Sequence, residues 1–428
     1  MAARFFVVGG VDTNWSTIGN WSLTSGGAGG QAVPLATDDV TLDANSGSAC
    51  VLNTSARVAL TINTTNFTGT VTFSQQLSVS GSITWGTNAA FAGATTNKLR
   101  MIAAGTWQTN GVTVPQDIEI GGTTTFTCTL AAALTSTGAL TLSNTTSTIF
   151  SGAFAISAAS CLVSGGQTIT MSGNVTITNL TDMSTATVLN GAFNWTTGGL
   201  TVTGQTTGTA TIVFGGTGTW SGATSLHTNV TINTAGTLTI SGTVQYATST
   251  LTYTAGTVSV GSSVLSLLAS CTLVTDGMSW ANLSLAAALT VTINSPLSIA
   301  GTLTLPNAAV TFAGSAGWTC GTLTNTTITA TRIYTFTAGR TYTVTVIWQT
   351  IHAALQTVRF TFTASSSCNF VLGPGASQDV GFVDPTNMDA STGQKIFSYH
   401  GVISSSPNWA NDRPPNVSIA WPTSQVGI

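Results

Sequence analysis

One short pattern recurs along this chain and leaves it few ways to fold. It reads Leu77-Ser-Val-Ser-Gly81-Ser-Ile83-Thr, Leu134-Thr-Ser-Thr-Gly138-Ala-Leu140-Thr, Ile169-Thr-Met-Ser-Gly173-Asn-Val175-Thr, Leu238-Thr-Ile-Ser-Gly242-Thr-Val244-Gln and Leu297-Ser-Ile-Ala-Gly301-Thr-Leu303-Thr. Apolar and hydroxyl residues alternate on both sides of a glycine, the period-two signature of a half-buried strand that bends. Each copy is therefore a strand, a corner and a strand. One copy has a single apolar edge and can bury it only against the next, so repetition of the unit points to a stack. The fold class this predicts is all-β: a β-solenoid, or parallel β-helix-like rod.

The glycines are unevenly spaced, so no single period can be read. At roughly 20–25 residues per coil, the ~270 residues of the repetitive middle make on the order of 12 coils and a rod roughly 60 Å long. Three regions are expected: an N-terminal cap or attachment region at 1–55, the repetitive solenoid at 56–331, and a C-terminal β region at 332–428 that closes the coils and ends in a proline-containing tail. A cap is needed because an open coil exposes both core and unpaired strand edges. The tail, from Arg413-Pro-Pro on, also carries Pro422, which suits an extended arm.

Composition narrows the function. Hydrophobic residues make up 42% of the 428, enough for a core, but charged residues only 5%, against about 25% in typical soluble domains. Between Ile120 and Thr331 the only charges are Asp182 and Asp276. A surface so poor in charge is either carried by hydroxyls and amides or covered in an assembly. Lys98 and Lys395 are the only lysines and the net charge is −3, so the clustered basic residues of a nucleic-acid surface are missing. Apolar runs such as Leu285-Ala-Ala-Ala-Leu289 are too short to span a bilayer. The Phe5-Phe-Val-Val8 run is likewise short for a signal peptide, so Sec export is not expected. Cys50, Cys128, Cys161, Cys271, Cys320 and Cys368 stand singly, which reads as small buried side chains, with disulfides or metal ligation as alternatives.

The first region differs in texture: Asn14-Trp15-Ser, Asn20-Trp21-Ser, a Ser25-Gly-Gly loop, Pro34, and Asp38-Asp39-Val40. Trp15 and Trp21 either fill the cap or form an anchoring surface, aromatic side chains being favoured at interfaces. With Arg4-Phe-Phe-Val-Val-Gly-Gly before them and Leu-Thr-x-x-Gly-x-Leu-Thr repeats after them, these motifs resemble the opening of Thr/Gly-rich β-repeat virion structural proteins of tailed bacteriophages. The likeness extends over most of the chain. It implies a structural component of a particle and brings no catalytic residues. Further along, tryptophan recurs before glycine-bearing turns at Trp107, Trp195 and Trp318, with looser versions at Trp220 and Trp280. These rings fill wide coil corners or offer platforms for sugar stacking.

Some phage β-helices cleave polysaccharide, which needs two carboxylates at a set separation. Glu119 is the only glutamate; Asp117 with Glu119, and Asp182 with Asp276, are the candidate pairs. His227, His352 and His400 are isolated, which fits neither a metal cluster nor a nucleophilic triad. No catalytic, cofactor or metal site is expected, and the candidate attachment residues are Trp15 and Trp21.

The expectation is a non-enzymatic phage structural protein, assembled in the host cytoplasm and released by lysis. It would be a fibre or spike that contacts the host surface, or alternatively a capsid decoration protein. Its partners would be other virion proteins of capsid or tail, itself as a homotrimer, and a host-surface glycan or protein. A bacterial adhesin would require an export signal, and an ice-binding solenoid a flat threonine rank on every coil.

Overall fold

Alternation decides which side chains turn inward, and the pairing register decides what they meet. The computed structural model describes residues 2–9, 12–53, 57–122, 124–351 and 358–411. Its described residues are almost all strand and turn, with one short helical turn at Ile18–Asn20. The fold is a β-solenoid of about 16 turns. No described helix is long and apolar enough to cross a membrane. Compactness divides the chain into Met1–Thr219 with Thr234–Leu238, and Trp220–Asn233 with Thr239–Ile428. The composition changes at 55/56 and 331/332 cut the same strands elsewhere.

In the first unit, Ala59, Val79, Met101, Ile120, Leu142, Val163, Met183 and Val202 form one rank, each paired in parallel with the next coil's residue. All of them are buried. Their immediate chain neighbours, Val58, Ser78, Arg100, Glu119, Thr141, Leu162, Asp182 and Thr201, form the adjoining outward rank, in which Ser78 is covered. In the second unit the inward rank runs Val244, Leu265, Leu283, Leu303, Leu323 and Trp348. Burying one such side chain stabilises by roughly 1.5–3 kcal/mol. The ranks are therefore the main source of stability.

Coil length varies. Hydrogen bonds to a side chain one coil away span 20 residues from the Asn194 amide to Asn174, 22 from the Thr61 hydroxyl to Asp39, and 28 from the Arg359 amide to Thr331. Corners and local breaks in register absorb the difference.

The motif glycines sit at these corners, for two distinct reasons. At Gly242 the backbone is left-handed, φ +70°, which glycine adopts without penalty. Gly81, Gly138, Gly173 and Gly301 have no positive φ, but the preceding coil passes too close. A Cβ would lie 2.8 Å from the Leu60 carbonyl oxygen at Gly81 and 2.5 Å from that of Ala281 at Gly301, and would overlap that of Phe154 at Gly173. Gly301 also lies within the break in register between Ile299 and Thr302.

Association through unpaired strand edges would need edges that stay open. Within each unit the ladder hydrogen bonds of a coil are taken up by the coils on either side, as in the ranks above. An edge argument thus applies to end coils alone. Near the C-terminus the core turns aromatic: Phe336 lies 4.9 Å from Tyr342 and 5.3 Å from Phe312, and Trp348 lies 5.0 Å from Phe370. The tail from 412 onward, for which an extended arm is expected, and His352 lie outside the described residues.

Candidate functional site

The cap is built on Asp12. Its carboxylate accepts hydrogen bonds from the Asn14 amide (3.0 Å), the Asn14 side chain (2.8 Å), the Thr17 hydroxyl (3.0 Å) and the Asn20 side chain (3.1 Å). These bonds, the Asn14 amide first among them, hold its pKa below the ordinary aspartate value. The turn they fix carries Trp15 and Trp21 into the interior. Their rings pack edge to face at 4.8 Å, and the Trp21 indole N–H donates to the Trp15 carbonyl at 2.7 Å. Both side chains are fully buried, so the expectation that they present an anchoring surface is corrected: they are cap core. Among the described residues the exposed large apolar side chains of the cap are instead Val8, Ile18, Leu23 and Leu35, between 49% and 61% exposed. Nothing in their sequence pattern separates them from strand residues.

The other tryptophans follow the same rule. Trp107, Trp195, Trp220, Trp280 and Trp318 are at most 1% exposed, and their rings are unavailable as sugar platforms. Trp195 donates to Thr181, which donates to Thr197, a buried polar chain inside the coil. All six cysteines are buried and unpaired. Burial pushes the thiols of Cys128, Cys271 and Cys368 up to about 12.

Of the carboxylates singled out by sequence, those of Asp117 and Glu119 are held by structural bonds, whereas the Asp182 Oδ1 is buried without a hydrogen-bond partner. Asp117 accepts the Ala139 amide at 2.8 Å. Glu119 is held by Arg100 at 2.7 Å and Lys98 at 3.0 Å, and receives the Ser143 hydroxyl. Burial pushes the Glu119 carboxyl up, but these cations outweigh it and hold the group below the ordinary glutamate value, the wrong direction for a general acid. Asp182 stands between Leu162 and Thr201 in the outward rank. Asp276 belongs to the other unit, its amide bonded to Ser295. The His227 ring bonds Ser225 and Thr248, and His400 stacks on Phe382 at 5.1 Å. Among the described residues no group of His, Cys, Asp and Glu could hold a metal ion.

What the outward faces do offer is hydroxyls in register. Thr290, Thr311, Thr335, Thr363 and Thr386 pair one to the next in a single rank. Beside it, Thr250, Thr272 and Thr292 form a second rank that ends at Ala313. A groove of about 550 Å³ lies over the start of both, lined by Asn229, Thr248, Thr250, Ser270, Thr272 and Thr290 among others. A second, of about 310 Å³, is lined by Pro296, Leu297, Ala316, Trp318, Arg340 and three threonines among others.

These features define a β-solenoid with apolar coil interiors and weakly charged, hydroxyl-bearing faces. No family model, curated protein or solved structure matches the chain.

Proposed function

We propose that this chain is a structural protein of a tailed-phage particle, a fibre or spike that projects from it and meets the host surface. The observation that carries the reading is the threonine rank from Thr290 to Thr386: an uncharged outward face, repeated in register from coil to coil, suits apposition to another surface. The motif resemblance supports the same class. In this reading the cap is the attachment end, through Val8, Ile18, Leu23 and Leu35 rather than Trp15 and Trp21. Self-association, with a homotrimer as the expected state, rests on the weakly charged faces. Sedimentation showing a stable monomer at micromolar concentration overturns it.

Quantitative mass spectrometry of intact particles against the major capsid protein, with low-resolution electron microscopy, tests the assignment. A few copies in multiples of three or six, with density at the tail, support the fibre. Hundreds of copies over the head establish capsid decoration instead, and absence from particles sinks the virion reading. The same rank favours one second reading, ice binding by ordered threonines; purified protein without thermal hysteresis removes it.

A further inference from the structure

Arg340 stands out among the charged side chains. Arg4 pairs with Asp38, Lys98 and Arg100 with Glu119, and Arg359 with Asp384. Arg332 bonds the Asn307 side chain, Arg57 the Asn53 carbonyl, and Lys395 lies over the Phe397 ring. Among the described residues the Arg340 guanidinium has neither a carboxylate nor a hydrogen-bond acceptor. It is not free in solvent either: its Nε is withdrawn from water and has no partner. A cation's buried N–H donor left without a partner is costly unless something else compensates it.

The position of Arg340 says what could. It follows Gly339, a turn residue at φ +68°, and lines the 310 Å³ groove together with Thr319, Thr341 and Thr343 and with Pro296, Leu297 and Ala316. Gly317 keeps the groove's backbone close, since a Cβ there would overlap the Thr341 carbonyl. The volume is at the small end of the ~300–1,000 Å³ of ligand sites, room for a single ring rather than a chain segment. One fixed positive charge, three hydroxyls and a short apolar wall match a ring bearing several hydroxyls and one carboxylate.

We propose that this groove binds a carboxylated sugar residue, with Arg340 pairing its carboxylate and the threonines meeting its ring hydroxyls. The site belongs to this chain and does not rest on the particle assignment; a chain absent from virions would still carry it.

The test is saturation-transfer NMR of the purified full chain with sodium glucuronate and with glucose, which differ at the carboxylate. Glucuronate is expected to bind at least about tenfold more tightly than glucose, as loss of a charge-assisted pair implies. Arg340→Gln should bring glucuronate down to the level of glucose, and Arg340→Lys should retain part of the difference; circular dichroism confirms that both variants fold. Equal binding of the two sugars, or undiminished glucuronate binding in the Arg340→Gln protein, overturns the proposal. Acetate competing as well as glucuronate would reduce the groove to a bare anion contact and overturn the sugar assignment.

Discussion

Two glycines of the same motif should respond to the same substitutions in opposite ways. At Gly242 the obstacle is conformational: φ is +70° and nothing lies within 4 Å of the missing Cβ. Alanine there costs roughly 1–2 kcal/mol for the left-handed backbone, offset by ~0.4–1 kcal/mol from stiffening the unfolded chain. The net loss is about 1 kcal/mol. At Gly173 the conformation is open to any residue, but the Cβ would overlap the Phe154 carbonyl and crowd Ala153. Overpacking costs about 1–3 kcal/mol, and the upper end applies because the obstruction is backbone that cannot rotate away. With the same unfolded-state offset, Gly173→Ala should lose about 2 kcal/mol. Asparagine separates the causes, since its short side chain tolerates the left-handed region. Gly242→Asn should be milder than Gly242→Ala, and Gly173→Asn harsher than Gly173→Ala. Guanidinium midpoints and slopes give the totals. Hydrogen exchange at the Ile156 amide, bonded to Asn174, and at the Val264 amide, bonded to Gly242, localises them. If asparagine eases the loss at Gly173, or the two alanine variants cost the same, the close-approach argument is refuted.

Trp21→Phe removes the indole bond to the Trp15 carbonyl and should cost about 1–2 kcal/mol, whereas Trp15→Ala should cost about 3–5 kcal/mol. Limited proteolysis of the first 50 residues reads both, and an unchanged cleavage rate would contradict their place in the core. The Glu119 carboxyl is held below its unfolded value, so its contribution to stability is fully present above about pH 4.3 and is lost as pH falls through the lower folded value. Glu119→Gln should flatten acid unfolding in that window, measured by circular dichroism against pH. The buried thiols should resist a thiol reagent at pH 8 in the native protein and react once guanidinium unfolds it. Rapid labelling of the native chain would contradict the packing.

The fold was legible because the signal for it is local. Alternation around Gly138 or Gly301 places Leu140 and Leu303 inward without knowledge of any partner, and both are buried. Trp15 and Trp21 were ambiguous for a physical reason: a large amphipathic ring suits a core and an interface equally, and the Asp12 turn that directs both inward is assembled from contacts between 2 and 8 residues apart. That short-range set of Asp, Asn and Thr was open to reading in the sequence as an Asx-type turn; its consequence for the rings was not.

Register is the least legible layer, and the outward surfaces depend on it. The threonines from Thr290 to Thr386 occur at unequal intervals, so spacing along the sequence does not reveal a continuous rank. Once corners of different length are seen to absorb the inequality, the rank is unbroken. Arg340 is hidden in the sequence for the same reason. Its isolation depends on which residues stack beside it, and in a chain of variable coils no count along the sequence supplies that. In such a solenoid the apolar alternation encodes the core coil by coil, whereas every surface that spans several coils is written jointly by the strands and by the lengths of the corners between them.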